Sequence, residues 1–153
     1  MINIFELNQH KDFPEIANGV IIQEPNKNVV NFIGYFDIHT YFTKKSFRFY
    51  LGIIPRTYDS EFPTFFILEP KYNLSIFSLV EIIPLYRFIV PFNGLKNIIY
   101  AKLFEDEPNF SKESVARELE YFFDLSYGSI QVLENSKDHL LGAYNRYKER
   151  FRS

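Results

Sequence analysis

The feature that most constrains the fold is a strict alternation of side-chain type over residues 46–54. Successive side chains of a β-strand point to opposite faces, so this pattern predicts a strand with one buried face and one partly wet face. The apolar set is Phe47, Phe49, Leu51 and Ile53, and the opposite set is Ser46, Arg48, Tyr50 and Gly52. Any fold for this chain must therefore place a β-sheet at its centre.

Three further stretches have strand character, with turn residues or loops between them. Pro25 and the asparagines that follow it form a turn, because proline pre-sets one backbone dihedral and asparagine tolerates left-handed ones. The four predicted strands are residues 19–24, 29–38, 46–54 and 64–69, with loops at 39–45 and 55–63. Consecutive short strands joined by turns predict a four-stranded antiparallel β-meander.

Helices are predicted mainly near the C-terminus. Ser111 is typical of a helix N-cap, and Gly128 is expected to end that segment. A final helix is expected after Ser136. The intervening region is harder to interpret, with a helix expected at 75–83 and strands near 86–90 and 97–103. The prediction is a single α+β domain, residues 1–153, with the C-terminal helices packed on the meander.

Composition excludes several classes of protein. Hydrophobic residues make up 46% of the chain and aromatic residues 19%, which supports a packed core. The net charge of −2 makes nucleic acid an improbable partner. The absence of cysteine excludes disulfides, thiolate metal ligands and a cysteine nucleophile, and it fits a reducing cytoplasm.

Targeting signals are not evident in the sequence. The N-terminal residues lack the basic start and apolar run of a signal peptide. The most apolar stretch, residues 74–92, is interrupted by Glu81, Pro84, Arg87 and Pro91. A spanning helix needs roughly 20 uninterrupted apolar residues, so membrane insertion is not expected. We therefore predict a cytoplasmic protein.

Residues for catalysis are hard to find. The histidines, His10, His39 and His139, lie on separate predicted elements, so no metal site is predicted. The glycines form no phosphate-binding loop. Acidic pairs occur at Asp59/Glu61 and over residues 105–107, where solvation is a simpler interpretation than acid–base work. The sequence thus predicts no catalytic, metal-binding or cofactor-binding residue and no cofactor, leaving enzyme activity open.

One segment resembles a known superfamily. The run FRFYLGIIPRTY at 47–58 leads into DSEFPTFFI at 59–67, after NFIGYF at 31–36. This resembles the meander of the ubiquitin-conjugating (E2) and RWD superfamily, with Pro55, Tyr58 and Pro63 at the matching positions. Asp59 departs from the pattern, since the family usually has proline there. The chain also lacks the catalytic cysteine and the His-Pro-Asn turn of the E2 enzymes.

The resemblance implies a non-catalytic or divergent bacterial member of that superfamily. Such a domain would bind a ubiquitin-like protein, an activating enzyme or a complex subunit. Pro55, Tyr58 and Pro63 would then stabilise the loop and would not contact a partner. The expected interaction loop consists of Arg56, Thr57, Asp59, Ser60, Glu61 and Phe62. Two alternatives stay open: an E2-like enzyme with a hydroxyl nucleophile, or an immunity or accessory protein of a mobile-element or defence locus. A protein partner is expected, and the oligomeric state is left open.

Overall fold

The computed structural model describes residues 3–103 and 106–151. The strands are β1 (Ala17–Gln23), β2 (Lys27–Ile33), β3 (Ile38–Phe47), β4 (Tyr50–Asp59), β5 (Phe62–Leu68), β6 (Leu79–Pro91), β7 (Leu95–Leu103) and β8 (Gln131–Leu133). The helices are a 3-10 turn at Ile4–Glu6, α1 (Lys112–Phe122) and α2 (Ser136–Phe151). None of the described helices is long and apolar enough to cross a membrane.

Strand pairing closes the sheet into a barrel. Within the described residues, five strands follow one another in the order β1-β4-β5-β7-β6, and β6 pairs back onto β1, with Ala17 opposite Ile82. The β5–β7 pairing is parallel and the other barrel pairings are antiparallel. Strand β8 extends the sheet beside β6, and β2 and β3 form a separate hairpin. The molecule is a mostly-strand closed barrel with two helices.

The predicted four-stranded meander with helices packed on it is therefore wrong. The prediction assumed that strands adjacent in sequence pair with each other. Instead β1 skips the β2–β3 hairpin to pair with β4, and the chain after β5 returns to close the ring. Alternation reports which face a side chain occupies, but it does not identify the partner strand, and this is why the barrel was missed.

Several predicted boundaries were also wrong. Residues 39–45, expected to be a loop, belong to β3, and the expected helix at 75–83 overlaps the start of β6. The expected loop at 55–63 is a tight turn, because β4 continues to Asp59 and β5 begins at Phe62. Ser60 and Glu61 make this turn with φ angles of 50° and 75°.

Both faces of the barrel strands are buried. On a first face, Leu51 and Phe65 pack with residues of the β2–β3 hairpin and α1. On the second face, Tyr50 and Phe66 pack with Leu140 of α2. An added Cβ at Gly52 would lie 2.3 Å from the Phe66 ring, so this glycine permits the close approach. The predicted single strand over 46–54 is wrong, because β3 ends at Phe47 and β4 begins at Tyr50. The apolar set still lies on the first face, whereas the opposite set is divided: Ser46 and Arg48 are exposed, and Tyr50 and Gly52 are buried.

Both C-terminal helices begin as the sequence predicts. The Ser111 hydroxyl accepts a hydrogen bond from the Ser114 amide at 3.1 Å, which satisfies one of the free donors of the first turn of α1. Helix α1 ends at Phe122, six residues before Gly128. The chain leaves the helix at Asp124, which has a φ of 60°. Helix α2 begins at Ser136. At α1 the capping residue thus marks the start of the helix better than Gly128 marks its end.

Candidate functional site

Two turns meet at the end of the barrel where β5 begins. The Tyr35 amide, in the turn of the β2–β3 hairpin, donates a hydrogen bond to the Glu61 carbonyl at 2.9 Å. An added Cβ at Gly34 would lie 2.8 Å from the Phe62 ring and 2.9 Å from the Glu61 carbonyl oxygen. The close approach at Gly34 therefore lets the hairpin fold over the first face of the barrel.

Aromatic rings fill the space beneath this hairpin. We call the group the aromatic cluster; its members are Phe32, Tyr41, Phe62, Phe65, Phe92, Phe122 and Phe123. Ring centroids of Phe32 and Phe65 lie 5.0 Å apart, and those of Phe32 and Phe123 lie 5.8 Å apart. These separations are those of favourable aromatic pairs. The first face is therefore dry and well packed at this end of the barrel.

A lysine is buried against the cluster. Lys96 is only 2% exposed, and its Nζ donates to the carbonyls of Phe92 and Asn93 at 2.9 and 2.7 Å. The same Nζ lies 4.6 Å from the centroid of the Phe62 ring and 5.8 Å from that of Phe32. Burial lowers the pKa of Lys96 because it disfavours the charged form. Lys96 is thus a cation held by carbonyls and aromatic faces.

A second polar group adjoins the same turn. We call it the Asp59 network, consisting of Asp59, Thr64, His139 and Arg146. The His139 Nε2 lies 2.9 Å from one Asp59 oxygen, Arg146 donates to the other at 2.5 Å, and the Thr64 hydroxyl also donates to Asp59. Burial opposes ionisation of Asp59, but these donors outweigh it and hold its pKa below the usual range. The network fastens α2 to the end of β4.

A third polar group lies at the other end of β5. We call it the Glu69 cluster, consisting of Glu69, Lys71, Tyr72, Tyr100 and Asp106. Glu69 Oε1 accepts hydrogen bonds from Tyr100 at 2.5 Å and from two backbone amides that follow Asp106. The Lys71 Nζ lies 3.4 Å from Glu69 and 3.2 Å from Asp106. Burial opposes ionisation of Glu69, yet these donors lower its pKa.

The residues selected from the sequence are mostly inaccessible. Pro55, Thr57, Asp59, Phe62 and Pro63 are buried, and Arg56 and Tyr58 are half-buried. Of the predicted interaction loop, Ser60 and Glu61 are exposed. The structure brings Asp59 to His139, although 80 positions separate them and no pattern in the sequence links the two.

Sequence reasoning also missed Lys96, although a signal was present. Lys96 lies two residues before Ile98 and four before Tyr100 in β7, so all three side chains point to the same face of the strand. Ile98 and Tyr100 are buried on the first face. A lysine in register with buried strand positions is a residue to examine, because lysine is almost never fully buried without a specific environment. Residue 105, part of the acidic run noted above, lies outside the described residues.

The donor set does not fit a bound metal cluster. Across residues 3–103 and 106–151, no group of three or more histidine, aspartate or glutamate side chains could hold a metal ion. The first face near the turn carries aromatic rings where oxygen or nitrogen ligands would be required.

Comparison with known proteins gives a fold but no family. No family model matches the chain, and no curated protein sequence matches it. Among solved structures, the inorganic pyrophosphatase from Thermus thermophilus matches with a TM-score of 0.73 and 18% identity, covering 96% of this chain and 99% of that one. The Helicobacter pylori inorganic pyrophosphatase matches with a TM-score of 0.67 and 15% identity, covering 93% and 98%. The type I enzyme from P. falciparum matches with a TM-score of 0.75 and 16% identity, covering 97% and 64%.

These matches overturn the resemblance to the E2/RWD superfamily. The residues that carried it, from 47 to 67, are two neighbouring barrel strands and the turn between them. A strand, a proline and a tight turn are common to many sheets, so the short motif identified local structure and not the family. The proposed E2-like or RWD-like interaction domain and its alternatives are therefore wrong. The chain has the fold of the inorganic pyrophosphatases.

Proposed function

We propose that this chain hydrolyses pyrophosphate or a closely related phosphoanhydride. The observation that carries the proposal is the end-to-end structural match, which covers 96% of this chain and 99% of the Thermus thermophilus enzyme. A match of that extent includes both helices, the hairpin and the barrel, so it is more than a shared barrel core. Because fold alone does not determine function, the proposal requires a direct assay.

The reaction consists of attack by water on one phosphorus atom. The bridging P–O bond breaks, the leaving phosphate takes the electron pair, and the two protons of water end on the two orthophosphate products. Negative charge develops on the phosphoryl oxygens, so cations near the reacting group would accelerate the step. Two cations lie beside the β4–β5 turn: Lys96 contacts the Phe62 ring, and Arg146 donates to Asp59. We assign them the role of binding and orienting the anion.

Divalent cations supply Lewis-acid chemistry to phosphoryl transfer when a protein holds them. The residues described for this chain do not fit such a group, and no step is derived through it. Water is excluded from the first face by the aromatic cluster. Access of pyrophosphate to Lys96 would therefore require movement of the hairpin that covers it.

The test is release of orthophosphate from pyrophosphate by the purified chain. We expect release above the buffer rate, abolished in Lys96→Met, because that variant removes the buried cation without shortening the side chain greatly. Lys148→Met is the matched control, since Lys148 is exposed on α2 with its Nζ over the Tyr144 ring, and it should retain the rate. No release above the buffer rate over a wide range of pyrophosphate concentrations would contradict the proposal.

The compartment and the partner are part of the same proposal. The lack of cysteine supports the cytoplasm. A protein partner remains a prediction from the sequence. Fractionation of the native host would test the first point, and recovery outside the cytoplasmic fraction would contradict it. Co-purification with a tagged chain would test the second, and recovery of the chain alone would contradict it.

A further inference from the structure

We infer that this chain folds as a pyrophosphatase without holding a cluster of divalent cations of its own. The inference rests on the proposed function only for its prediction about activity. Its structural part is a disagreement: the fold matches are to phosphoryl-transfer enzymes, whereas the described side chains do not form a group of metal ligands. Phosphoryl transfer normally combines carboxylate-held cations with a positioned water. The described residues do not supply the grouping of ligands that such cations need.

The first argument is what occupies the first face near the turn. Phe32, Phe65 and Phe123 are 4% exposed or less, and the centroid of the Phe32 ring lies 5.0 Å from that of Phe65 and 5.8 Å from that of Phe123. Magnesium needs near-octahedral oxygen ligation, usually with several retained waters. Interlocked aromatic rings provide no oxygen and leave no room for those waters. A cation site on this face would require the rings to move apart.

The second argument is that the buried carboxylates already have partners. Asp59 accepts from Thr64, Arg146 and the nearby His139. Elsewhere, Glu69 accepts from Tyr100 and two amides, and Glu120 accepts from the Ile130 amide and pairs with Arg117. A cation that displaced these donors would cost each carboxylate hydrogen bonds to a charged group, and each such loss is unfavourable.

The third argument is charge. Lys96 places a cation on the first face, held at 2.7–2.9 Å by two carbonyls. A divalent cation entering the same dry region would be repelled, because Coulomb interactions are stronger where water is excluded. Conversely, an anion would be attracted there. The face is therefore arranged to favour an anion over a metal ion.

The first experiment is a titration of the purified chain with Mn²⁺ alone, followed by electron paramagnetic resonance. We expect no saturable binding tighter than about 1 mM, the weak end of the range for protein cation sites. Saturable binding below that concentration would overturn the inference. This readout does not depend on any catalytic activity.

The second experiment measures orthophosphate release with Mg²⁺ or with EDTA, using the Thermus thermophilus enzyme as assay control. We expect a rate about 10³-fold or more below the control, because Lewis-acid stabilisation by held cations is missing. Slow release without Mn²⁺ binding supports both proposals, whether or not Mg²⁺ on the substrate assists. No release and no Mn²⁺ binding contradicts the proposed function and supports this inference. Release at the control's rate overturns the inference.

Discussion

Lys96 and Asp59 are two buried ionisable side chains beside the same turn, and their surroundings differ completely. Asp59 has a cationic partner in Arg146, at 2.5 Å, and hydrogen bonds from Thr64 and the His139 pair. Lys96 has two backbone carbonyls and two aromatic rings, with no ion pair to it among the described residues. Both pKa values are lowered, by donors at Asp59 and by burial at Lys96.

The two residues illustrate two reasons for burying a charged side chain: Asp59 stabilises the structure, and Lys96 is a candidate for function. The ionised form of Asp59 is favoured by folding, so its network stabilises the attachment of α2. The charged form of Lys96 is disfavoured by folding, so its burial lowers the free energy of unfolding. A group retained at an energetic cost is a candidate for function, although structural networks can also shift pKa values. The following predictions test this contrast.

The largest effect is expected in the aromatic cluster that surrounds Lys96. Phe65→Ala should lower the free energy of unfolding by about 4 kcal/mol, because a fully buried ring is removed and a cavity remains. Urea denaturation measures the change. Phe42→Ala is the control, since Phe42 is 77% exposed, and it should change stability by less than about 0.5 kcal/mol. Equal effects would refute the assigned packing.

The next effect is expected on the Asp59 side of the comparison. Asp59→Asn should lower the free energy of unfolding by about 3 kcal/mol, because it leaves the groups that faced the carboxylate without their anionic partner. This value lies at the low end of the range of about 3–5 kcal/mol for removing one partner of a buried ion pair, because Arg146 is half exposed and screened by water. Asp124→Asn is the control, since Asp124 is an exposed ion-pair partner of Lys45. A loss at Asp59 no larger than in the control would remove the network from the account.

At Lys96, the change in the free energy of unfolding should have the opposite sign to the change at Asp59. Lys96→Met should leave the free energy of unfolding unchanged or raise it by about 1 kcal/mol, because an unpaired buried cation is replaced by an apolar chain of similar length. Thermal and urea unfolding give the value. Destabilisation by more than about 2 kcal/mol would mean that Lys96 is structural, and its assignment to anion binding would lose its basis.

The smallest effect is expected in the pH dependence. Because the folded pKa of Asp59 lies below its ordinary value of 3.8, its contribution is fully present above about pH 4. It is lost as the pH falls from there through the folded pKa, because the unfolded chain takes up the proton while the folded carboxylate stays ionised. As the pH falls below about 4, the wild type should lose stability more steeply than Asp59→Asn. Glu69 is common to both proteins and cancels. Parallel curves would contradict the lowered pKa.

The sequence predicted local structure where the cause is local. Ser111 caps α1 because its hydroxyl reaches an amide three residues away, and alternation over 46–54 marks two faces. Barrel closure could not be predicted in the same way, because it depends on β6 meeting β1 some 65 residues earlier in the chain. The parallel β5–β7 pairing is equally non-local.

The candidate site was harder to predict than the fold. Its parts come from separate elements: Phe32 from the hairpin, Phe92 after β6 and Phe123 after α1. Each of these residues individually is typical of a core position. Lys96 was detectable from its parity with buried neighbours, and His139 was not, because its partner Asp59 is 80 positions away.

A crystal structure grown with Mn²⁺ and pyrophosphate tests the central claim most directly. We predict a closed five-stranded barrel with the aromatic cluster packed around Lys96, and no anomalous manganese peak ligated by carboxylates of the chain. A manganese peak bound by two or more of its aspartate or glutamate side chains on the first face would contradict the account.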